Sequence, residues 1–321
     1  MEYRTLGRTG LRVSVLGIGT WQLAGPLTID ARPDGYPDPG REHVIRLIRN
    51  VAELGINLID TAPVYGDGEG EARVGEAIRG HRADWLLVTK FGLARGAGGE
   101  AVLTAKPGEI RSWLEGSLRR LSTDYVDVYL IHHSKEDPEP EPTVRALEDL
   151  KKAGMIRFGG VSSDDVPFLH ELERIAPIDV VMFSNSLLRR PERIYDVLRR
   201  QRAGALVRGV FEQGRLGGQY WASPPQFTAE DFRSQAADRF DFTRYSALHD
   251  QLRRAGRLTM AQLALRYVLD LDTTHCVVLG SATLDRYREA GRAVDLPPLS
   301  SRVRSRIDRV VKRLRGRKSS S

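Results

Sequence analysis

Four residues with complementary acid–base chemistry lie at the ends of strand-like runs or just beyond them: Asp60, Tyr65, Lys90 and His132. Asp60, Lys90 and His132 each close an apolar run, and Tyr65 lies in the turn after Asp60. A cation beside a phenol favours the phenolate and lowers its pKa. A tyrosine near a lysine and a histidine is therefore suited to donate a proton near neutral pH. These residue types predict a site of proton transfer.

The elements that must position these residues alternate regularly along the chain. Strand-like runs lie at residues 16–19, 56–59, 85–89, 126–131, 156–161, 178–183, 205–210 and 276–279. Helical patterns lie at residues 42–54, 71–79, 106–121, 142–153, 165–175, 191–202, 259–269 and 283–293. Strict alternation of strands and helices predicts a parallel sheet. Eight such units in 321 residues predict an α/β fold of the closed (β/α)8 TIM-barrel type.

Two long connections stand out in this pattern, at residues 23–41 after the first barrel strand and at residues 214–242 after the seventh. Both leave the carboxyl ends of strands, where barrel active sites are built. Because long loops in compact domains tend to be functional, we expect both to overhang the mouth of the site. The sequence further predicts an N-terminal β-hairpin and a single domain over residues 1–321, with a basic C-terminal helix and tail at residues 302–321.

Charge and cysteine content narrow the class of protein. The formal net charge of +7 comes from an excess of arginine and lysine in residues 302–318. Such a run either binds an acidic surface or a nucleic acid, or it forms a helix whose charges are solvated. The lack of interleaved aromatic residues favours the solvated helix. A lone cysteine, Cys276, excludes an internal disulfide and predicts a small core residue in a reducing compartment. We expect a cytoplasmic protein without a signal peptide, membrane span, metal site or nucleic-acid partner.

Several stretches of the chain resemble signatures of the aldo-keto reductase superfamily. They lie at residues 16–21, 59–66, 88–92, 117–121, 127–132 and 160–163. The likeness runs from the N-terminal hairpin to about residue 300 and includes Asp60, Tyr65, Lys90 and His132 in that order, each at or just beyond a strand end. The resemblance thus supports the same barrel and gives the four residues a common purpose.

The resemblance implies an NADP(H)-dependent oxidoreductase that reduces an aldehyde, ketone or sugar carbonyl by hydride transfer. Tyr65 would be the general acid, and Lys90, paired with Asp60, would lower the Tyr65 pKa. His132 would hydrogen-bond and orient the carbonyl oxygen. Trp21 would join Tyr65 and His132 as a wall of the substrate pocket. A small-molecule carbonyl compound is the implied partner.

The resemblance also implies where the cofactor, NADPH/NADP+ with NADH as the alternative, would bind. Ser281 and Arg286 occupy positions that favour a 2′-phosphate, because arginine presents a planar fork to phosphate oxygens. The implied cofactor-binding residues are Gly19, Thr20, Trp21, Asp60, Ser162, Met182, Arg208, Gly209, Phe211, Gly214, Leu216, Gly280, Ser281, Ala282, Arg286 and Glu289.

The chain departs from the family pattern at several of these cofactor positions. Met182 stands where the family usually has a carboxamide-binding glutamine, and Asn185 where it has a ring-stacking tyrosine, unless the alignment slips and Phe183 is the stacking residue. Residues 209–211 replace a Ser-Pro-Leu segment, and Ala290 replaces an adenine-binding asparagine. These changes leave open a non-reductive enzyme, such as a dehydratase or lyase, or a redox-silent binding protein on the same barrel.

Overall fold

Eight parallel strands close into a barrel within the residues that the structure describes. The structure is a computed structural model that describes residues 1–104, 106–132, 140–218, 220, 225–235 and 258–316. The strands are β1 (Leu16–Gly19), β2 (Leu58–Asp60), β3 (Leu86–Phe91), β4 (Val126–His132), β5 (Ile156–Ser162), β6 (Val180–Ser184), β7 (Gly204–Arg208) and β8 (Cys276–Gly280). Each pairs with the next along the chain, and β8 pairs with β1. The predicted TIM barrel is confirmed.

Helices connect the strands and cover the outside of the barrel. They are α1 (Arg41–Ala52), α2 (Glu69–Ala77), α3 (Pro107–Leu121), α4 (Pro140–Lys152), α5 (Val166–Ile175), α6 (Glu192–Gln201), α7 (Met260–Leu269), α8 (Leu284–Val294) and α9 (Ser301–Gly316). In α1, apolar side chains recur at Val44, Leu47, Ile48 and Val51, and all four are buried. This spacing places them on one face of the helix. Full burial of each contributes about 1.5–3 kcal/mol to stability.

The predicted and observed bounds of the strands and helices agree to within a few residues, and the differences have local causes. The seventh strand ends at Arg208 rather than at residue 210, because Gly209 turns the chain with a φ of +74°. Thr259 begins α7 with a capping box: its hydroxyl accepts from the Gln262 amide at 3.2 Å, and the Gln262 side chain accepts from the Thr259 amide at 3.0 Å.

The N-terminal hairpin closes the bottom of the barrel. Tyr3–Thr5 pairs antiparallel with Arg12–Ser14, and Leu6 packs among interior side chains of the strands. A Cβ placed on Gly7 would lie 2.3 Å from the Gly204 nitrogen, so the hairpin abuts the start of β7 too closely for any larger residue. Access to the interior is therefore from the opposite end, where the strands terminate.

The barrel interior is filled by side chains rather than by solvent. Its members are Leu58, Val88, Val128, Leu130, Val180, Met182, Leu206, Cys276 and Val278. Cys276 is fully buried, and that burial raises the pKa of its thiol, so the thiol stays neutral. The predicted role of Cys276 as a small core residue is confirmed.

The basic C-terminal helix α9 packs on the barrel by one face. Ile307, Val310 and Val311 are buried, and the Arg304 guanidinium donates to the Tyr267 carbonyl at 3.1 Å. Residues 317–321 of the predicted tail lie outside the described residues. None of the helices in the described ranges combines the length and apolar character that a membrane span requires.

The two long loops lie at the carboxyl ends of the strands, as expected. The loop after β1 contains a 3-10 turn, Trp21–Leu23, and a two-stranded ribbon of Thr28–Ile29 with Arg32–Pro33. Of the predicted loop after β7, residues 219, 221–224 and 236–242 lie outside the described residues. The described part meets the first loop directly, because the Phe232 amide donates to the Gly35 carbonyl at 3.0 Å.

Candidate active site

The structure brings Asp60, Lys90 and Tyr65 into direct contact. The Lys90 Nζ lies 2.7 Å from Asp60 Oδ1 and donates to the Tyr65 hydroxyl at 3.2 Å. It also donates to the Thr61 carbonyl at 2.8 Å. Asp60 and Lys90 are buried at the ends of the neighbouring strands β2 and β3. The lysine is therefore a fixed, charged link between the carboxylate and the phenol.

A tight turn after β2 delivers Tyr65 to this lysine. The Tyr65 amide donates to the Ala62 carbonyl at 3.1 Å. The next residue, Gly66, has a φ of +60°, and a Cβ there would lie 2.2 Å from the Ala24 carbonyl oxygen. Only glycine fits that conformation and that close approach. The turn thus depends on Gly66, and α2 begins three residues later, at Glu69.

A buried carboxylate stabilises the strand that carries Lys90. Glu71 of α2 is fully buried, accepts from the Thr89 hydroxyl at 2.5 Å and pairs with Arg120 of α3 at 2.7 Å. A buried carboxylate is tolerated only when it is paired and hydrogen-bonded. This contact joins two helices to β3 at the residue before the catalytic candidate Lys90.

His132 and Trp21 border the Tyr65 ring. The His132 ring meets it edge-on, with centroids 6.2 Å apart and planes at 86°. The Trp21 indole lies nearly parallel to it, with centroids 6.3 Å apart and planes at 26°. His132 is the last residue of β4, and Trp21 follows β1 by two positions. The four predicted residues and the predicted pocket wall therefore converge on one point at the top of the barrel.

The protonation of the site reflects burial as well as charge. Burial raises the pKa of Tyr65, and Asp60 adds to that rise, whereas Lys90 opposes it. Burial alone would lower the pKa of Lys90, but Asp60 and Tyr65 outweigh it and the pKa is raised. The sequence argument considered only the cations and predicted a lowered Tyr65 pKa, and the net direction is the reverse. Tyr65 accordingly holds its proton at neutral pH.

A cavity of about 660 Å³ opens above Tyr65. Most of the predicted cofactor-binding residues line it: Gly19, Trp21, Asp60, Met182, Arg208, Gly209, Phe211, Gly214, Gly280, Ser281, Ala282, Arg286 and Glu289. It extends from Tyr65 to the start of α8 and is of the size expected for a ligand site. The structure therefore assembles residues from most of the length of the chain around one cavity.

Other predicted site residues lie off the cavity wall. Thr20, Ser162 and Leu216 are buried and are not among its lining residues, and the same is true of Lys90 and His132. Lys90 reaches the cavity through the Tyr65 hydroxyl.

Gly280, which lines the cavity, also makes room for a side chain of the first loop. A Cβ on Gly280 would lie 1.9 Å from Gln22 Oε1, so this glycine makes room for the Gln22 side chain. The Gln22 Nε2 in turn donates to the Tyr36 hydroxyl at 3.2 Å. Gln22 and Tyr36 both line the cavity, and sequence reasoning missed both.

A polar network at the ends of β6 and β7 was also missed, apart from Arg208. The Arg208 guanidinium donates to Ser184 Oγ at 2.7 Å and to Asp164 Oδ2 at 3.2 Å. Burial opposes ionisation of Asp164, but Arg208 and the Ser184 amide hold its pKa below the usual range. The positions of Asp164 and Ser184 directly after β5 and at the end of β6 were the signal that could have found them.

The far end of the cavity lies at the N-terminus of α8. Ser281 Oγ accepts from the Thr283 amide at 3.2 Å, and Arg286 pairs with Glu289 at 3.0 Å. Glu289 also accepts from the Thr259 hydroxyl at 3.2 Å. Backbone amides at a helix N-terminus and a nearby guanidinium favour an anion. In the described part of the chain, no group of three or more potential metal ligands occurs.

Comparison with known proteins places the chain in a family. The family model described as "Aldo/keto reductase family" matches residues 15–312. The chain belongs to the aldo/keto reductase family. This is a family of oxidoreductases, and the match spans every strand of the barrel and the whole cavity wall.

Relatives and solved structures of the family resemble most of the chain. It is 28% identical over 292 residues to the uncharacterized oxidoreductase YqkF of Bacillus subtilis (strain 168), covering 90% of each chain. It is 31% identical over 233 residues to the NADH-specific methylglyoxal reductase of Escherichia coli (strain K12), covering 68% of this chain and 70% of that one.

Among solved structures, the holo form of the aldo-keto reductase AKR11C1 from Bacillus halodurans matches with a TM-score of 0.81 and 29% identity, over 97% of this chain and 96% of that one. The glycerol dehydrogenase AKR11B4 from Gluconobacter oxydans matches with a TM-score of 0.82 and 25% identity, over 97% of this chain and 95% of that one.

The departures from the family pattern have a structural counterpart at β6. Met182 lines the cavity, whereas Asn185 and Phe183 are both buried away from its wall. Neither candidate for the ring-stacking residue therefore faces the cavity. Ala290 does line it, near Arg286 and Glu289.

Proposed function

We propose that the protein is a cytoplasmic, NADP(H)-dependent oxidoreductase that reduces an aldehyde, ketone or sugar carbonyl to an alcohol, with Tyr65 as the general acid. The observation that carries the proposal is the Lys90 ammonium, 2.7 Å from Asp60 and 3.2 Å from the Tyr65 hydroxyl, below a cavity of about 660 Å³. In an aldo/keto reductase barrel, this arrangement is suited to proton transfer at a carbonyl oxygen.

The cavity fits a dinucleotide cofactor by the chemistry of its wall. Arg208 lies near Tyr65, and Arg286 lies at the N-terminus of α8, so positive charge is available at both ends. A Cβ on Gly209 would meet nothing within 4 Å, which leaves open space on the wall beside Arg208. We propose that the wall residues named above hold the cofactor, and that Thr20, Ser162 and Leu216 act through these neighbours.

The chain's own residues would then carry out the proton transfer. A nicotinamide cofactor bound in the cavity supplies the hydride that reduces the carbonyl carbon. Tyr65 donates its proton to the carbonyl oxygen, which gives the alcohol. Lys90 stabilises the phenolate that is left, and Asp60 keeps Lys90 charged and in place. His132, at the edge of the Tyr65 ring, orients the carbonyl oxygen by a hydrogen bond.

NADP(H) is the proposed cofactor because of the anion-binding features beside α8. Ser281 and Arg286 flank the helix N-terminus, and a guanidinium is well matched to a phosphate. Glu289 pairs with Arg286 and would compete with that phosphate. One relative is named as NADH-specific, so NADH is the competing assignment.

A fluorescence titration with NADPH and, separately, NADH tests this choice. We expect saturable binding of both, at least tenfold tighter for NADPH. Arg286→Met should bring the two affinities together, and the matched variant Arg288→Met on the solvent side of the same helix should not. Equal affinities in the unaltered protein would overturn the NADP(H) assignment. The reductase assignment is tested by loss of NADPH absorbance with a panel of carbonyl compounds.

A second candidate is favoured by the buried positions of Asn185 and Phe183. With no aromatic side chain from the end of β6 among the described wall residues, the barrel is also compatible with a redox-neutral enzyme, such as a dehydratase or lyase, or with a binding protein. Conversion of a substrate by protein stripped of cofactor would support the redox-neutral enzyme. Strict dependence on added nicotinamide would exclude it.

A further inference from the structure

The two long loops join above the cavity into one unit, which we term the roof: residues 21–36 of the first loop and residues 231–233 of the second. Gly35 forms a β-bridge with Asp231, and the Phe232 amide donates to the Gly35 carbonyl at 3.0 Å. A Cβ on Gly35 would lie 2.6 Å from the Gly25 carbonyl oxygen, so the first loop is folded tightly at the contact.

Three aromatic rings of the roof pack together. The Phe232 ring lies 4.7 Å from the Trp21 ring and 5.1 Å from the Tyr36 ring, measured between centroids. Trp21 and Tyr36 meet edge-on at 5.3 Å. The Trp21 Nε1 donates to the Asp34 carbonyl at 3.1 Å. The indole is therefore held by residues of both loops, and it also lies beside the ring of Tyr65.

Arg233 anchors the segment that carries Phe232. Its Nε donates to the buried carboxylate of Asp231 at 2.8 Å, and its Nη1 donates to the Tyr220 hydroxyl at 3.0 Å. The guanidinium also lies 5.0 Å above the Tyr36 ring and 4.4 Å above the Phe227 ring. Arg233 thus forms hydrogen bonds within its own loop and contacts the first loop by a cation–π interaction with Tyr36.

We propose that Phe232 and Arg233 are positioning residues for the substrate wall, which act by holding Trp21 against Tyr65. The inference rests on the proposed function for its kinetic consequence, but not for the structural one. Phe232 is not among the residues that line the cavity, so it acts through Trp21. Arg233 does line the cavity, and it acts on Trp21 by holding the segment of Phe232 and the ring of Tyr36. The Trp21 Nε1 and the Tyr36 hydroxyl are engaged by Asp34 and Gln22 within the roof, which leaves the ring faces to contact a substrate.

Fluorine NMR of cofactor-free protein labelled with fluorotryptophan tests the positioning without any assumption about catalysis. The chain has 4 tryptophans, and loss of one signal in Trp21→Phe identifies Trp21. In Phe232→Leu we expect the Trp21 signal to shift and the Trp85 and Trp113 signals to stay. Phe158→Leu, at the lower end of β5, is the matched control and should leave Trp21 unchanged. An unmoved Trp21 signal in Phe232→Leu would overturn the proposal.

Kinetics with NADPH and nitrobenzaldehyde test the consequence for the substrate. Loss of an aromatic pair should raise KM roughly three- to tenfold in Phe232→Leu, with the affinity for NADPH nearly unchanged. Phe232→Tyr, which keeps the ring, should restore KM. Arg233→Lys keeps the charge but loses the planar stack and should show a smaller rise. Methylglyoxal, which is too small to cover the indole, should respond less.

A double-mutant cycle separates positioning from a general effect on folding. If Phe232 acts through Trp21, Phe232→Leu should add little to the KM of Trp21→Leu, because neighbours in one network are not additive. Additive effects would contradict the proposal. If the Trp21 signal moves but no carbonyl compound is reduced by any form of the protein, the positioning stands and the reductase assignment fails.

Discussion

The floor and the roof of the cavity are built in different ways. The floor consists of Tyr65 and the residues around it, Asp60, Lys90 and His132. These last three are buried at or near the ends of barrel strands, and Lys90 and His132 lie behind the cavity wall. The roof consists of loop residues that meet through tilted and edge-on ring contacts, with an ion pair between Arg233 and Asp231 inside the second loop. Backbone pairing along whole strands fixes the floor to within the register of a sheet, whereas the roof combines a short backbone bridge between its loops with contacts of side chains that are distant in the sequence. Chemistry is therefore expected to fail abruptly with floor substitutions and substrate binding to change gradually with roof substitutions.

Tyr65→Phe is expected to have the largest effect on the floor. Loss of the proton donor should lower kcat by roughly 100- to 10,000-fold, the usual contribution of general acid catalysis. The ring and its contact with Trp21 remain, so the affinity for NADPH should change by less than about twofold, since the remaining wall contacts are kept. Steady-state kinetics beside a fluorescence titration check this. Near-normal turnover would rule out Tyr65 as the acid.

Lys90→Met should disrupt the floor as a structural unit. Burial raises the pKa of Asp60 and Lys90 opposes that rise. Removing Lys90 leaves this buried carboxyl without its partner, at a cost of about 3–5 kcal/mol in the free energy of unfolding. Adding Asp60→Asn should recover much of that loss while activity stays absent. Urea denaturation of both variants measures the difference. Equal stability of the single and double variants would show that the pair is not coupled.

The raised pKa values of Lys90 and Tyr65 predict the alkaline behaviour of the floor. Because the folded protein binds these protons more tightly than the unfolded chain, their contribution to stability is present at neutral pH and is lost as the pH rises past the ordinary lysine and phenol range. The free energy of unfolding should decline more steeply above about pH 10 in the unaltered protein than in the Lys90→Met, Tyr65→Phe double variant. Parallel profiles would contradict the pKa directions.

Gly280→Ala tests the contact that joins barrel and roof. The new methyl group would displace Gln22, which lies 1.9 Å from its position and donates to Tyr36. Overpacking of this kind costs about 1–3 kcal/mol, and the flexible glutamine should keep the value near the lower end. Gln22→Ala in the same chain should relieve the clash. If it does not, the glycine is needed for a reason other than Gln22.

Asp34→Asn is expected to have the smallest effect, and it is confined to the roof. Burial raises the pKa of Asp34 to about 6 from its ordinary value of 3.8. Stability linked to this group is present below about pH 4 and is lost as the pH rises through about 6. The asparagine variant should therefore be more stable at pH 8 by about 1 kcal/mol, after allowance for solvent screening of a half-exposed group. Thermal unfolding at pH 4 and at pH 8 compares the stability of Asp34→Asn with that of the unaltered protein.

Much of the fold and of the floor could be predicted from the amino-acid sequence. Alternating strand and helix patterns predicted the barrel, and the strand bounds differ from the observed ones by only a few residues, for example at Gly209. Asp60, Lys90 and His132 were identifiable because parallel strands bring their carboxyl ends to one face. Nothing comparable marked Phe232 or Arg233, because loops lack a periodic pattern that specifies their partners.

The sequence by itself determined the barrel and the identity of the acid–base residues, since these depend on local periodicity and on position within a strand, while the family resemblance supplied part of the cavity wall. The tertiary structure alone decided three things. It joined residues of the first loop to Asp231–Arg233, it placed Asn185 and Phe183 away from the cavity, and it raised rather than lowered the pKa of Tyr65. Long-range packing and desolvation are properties of the folded chain, and neither is encoded in the spacing of residues along it.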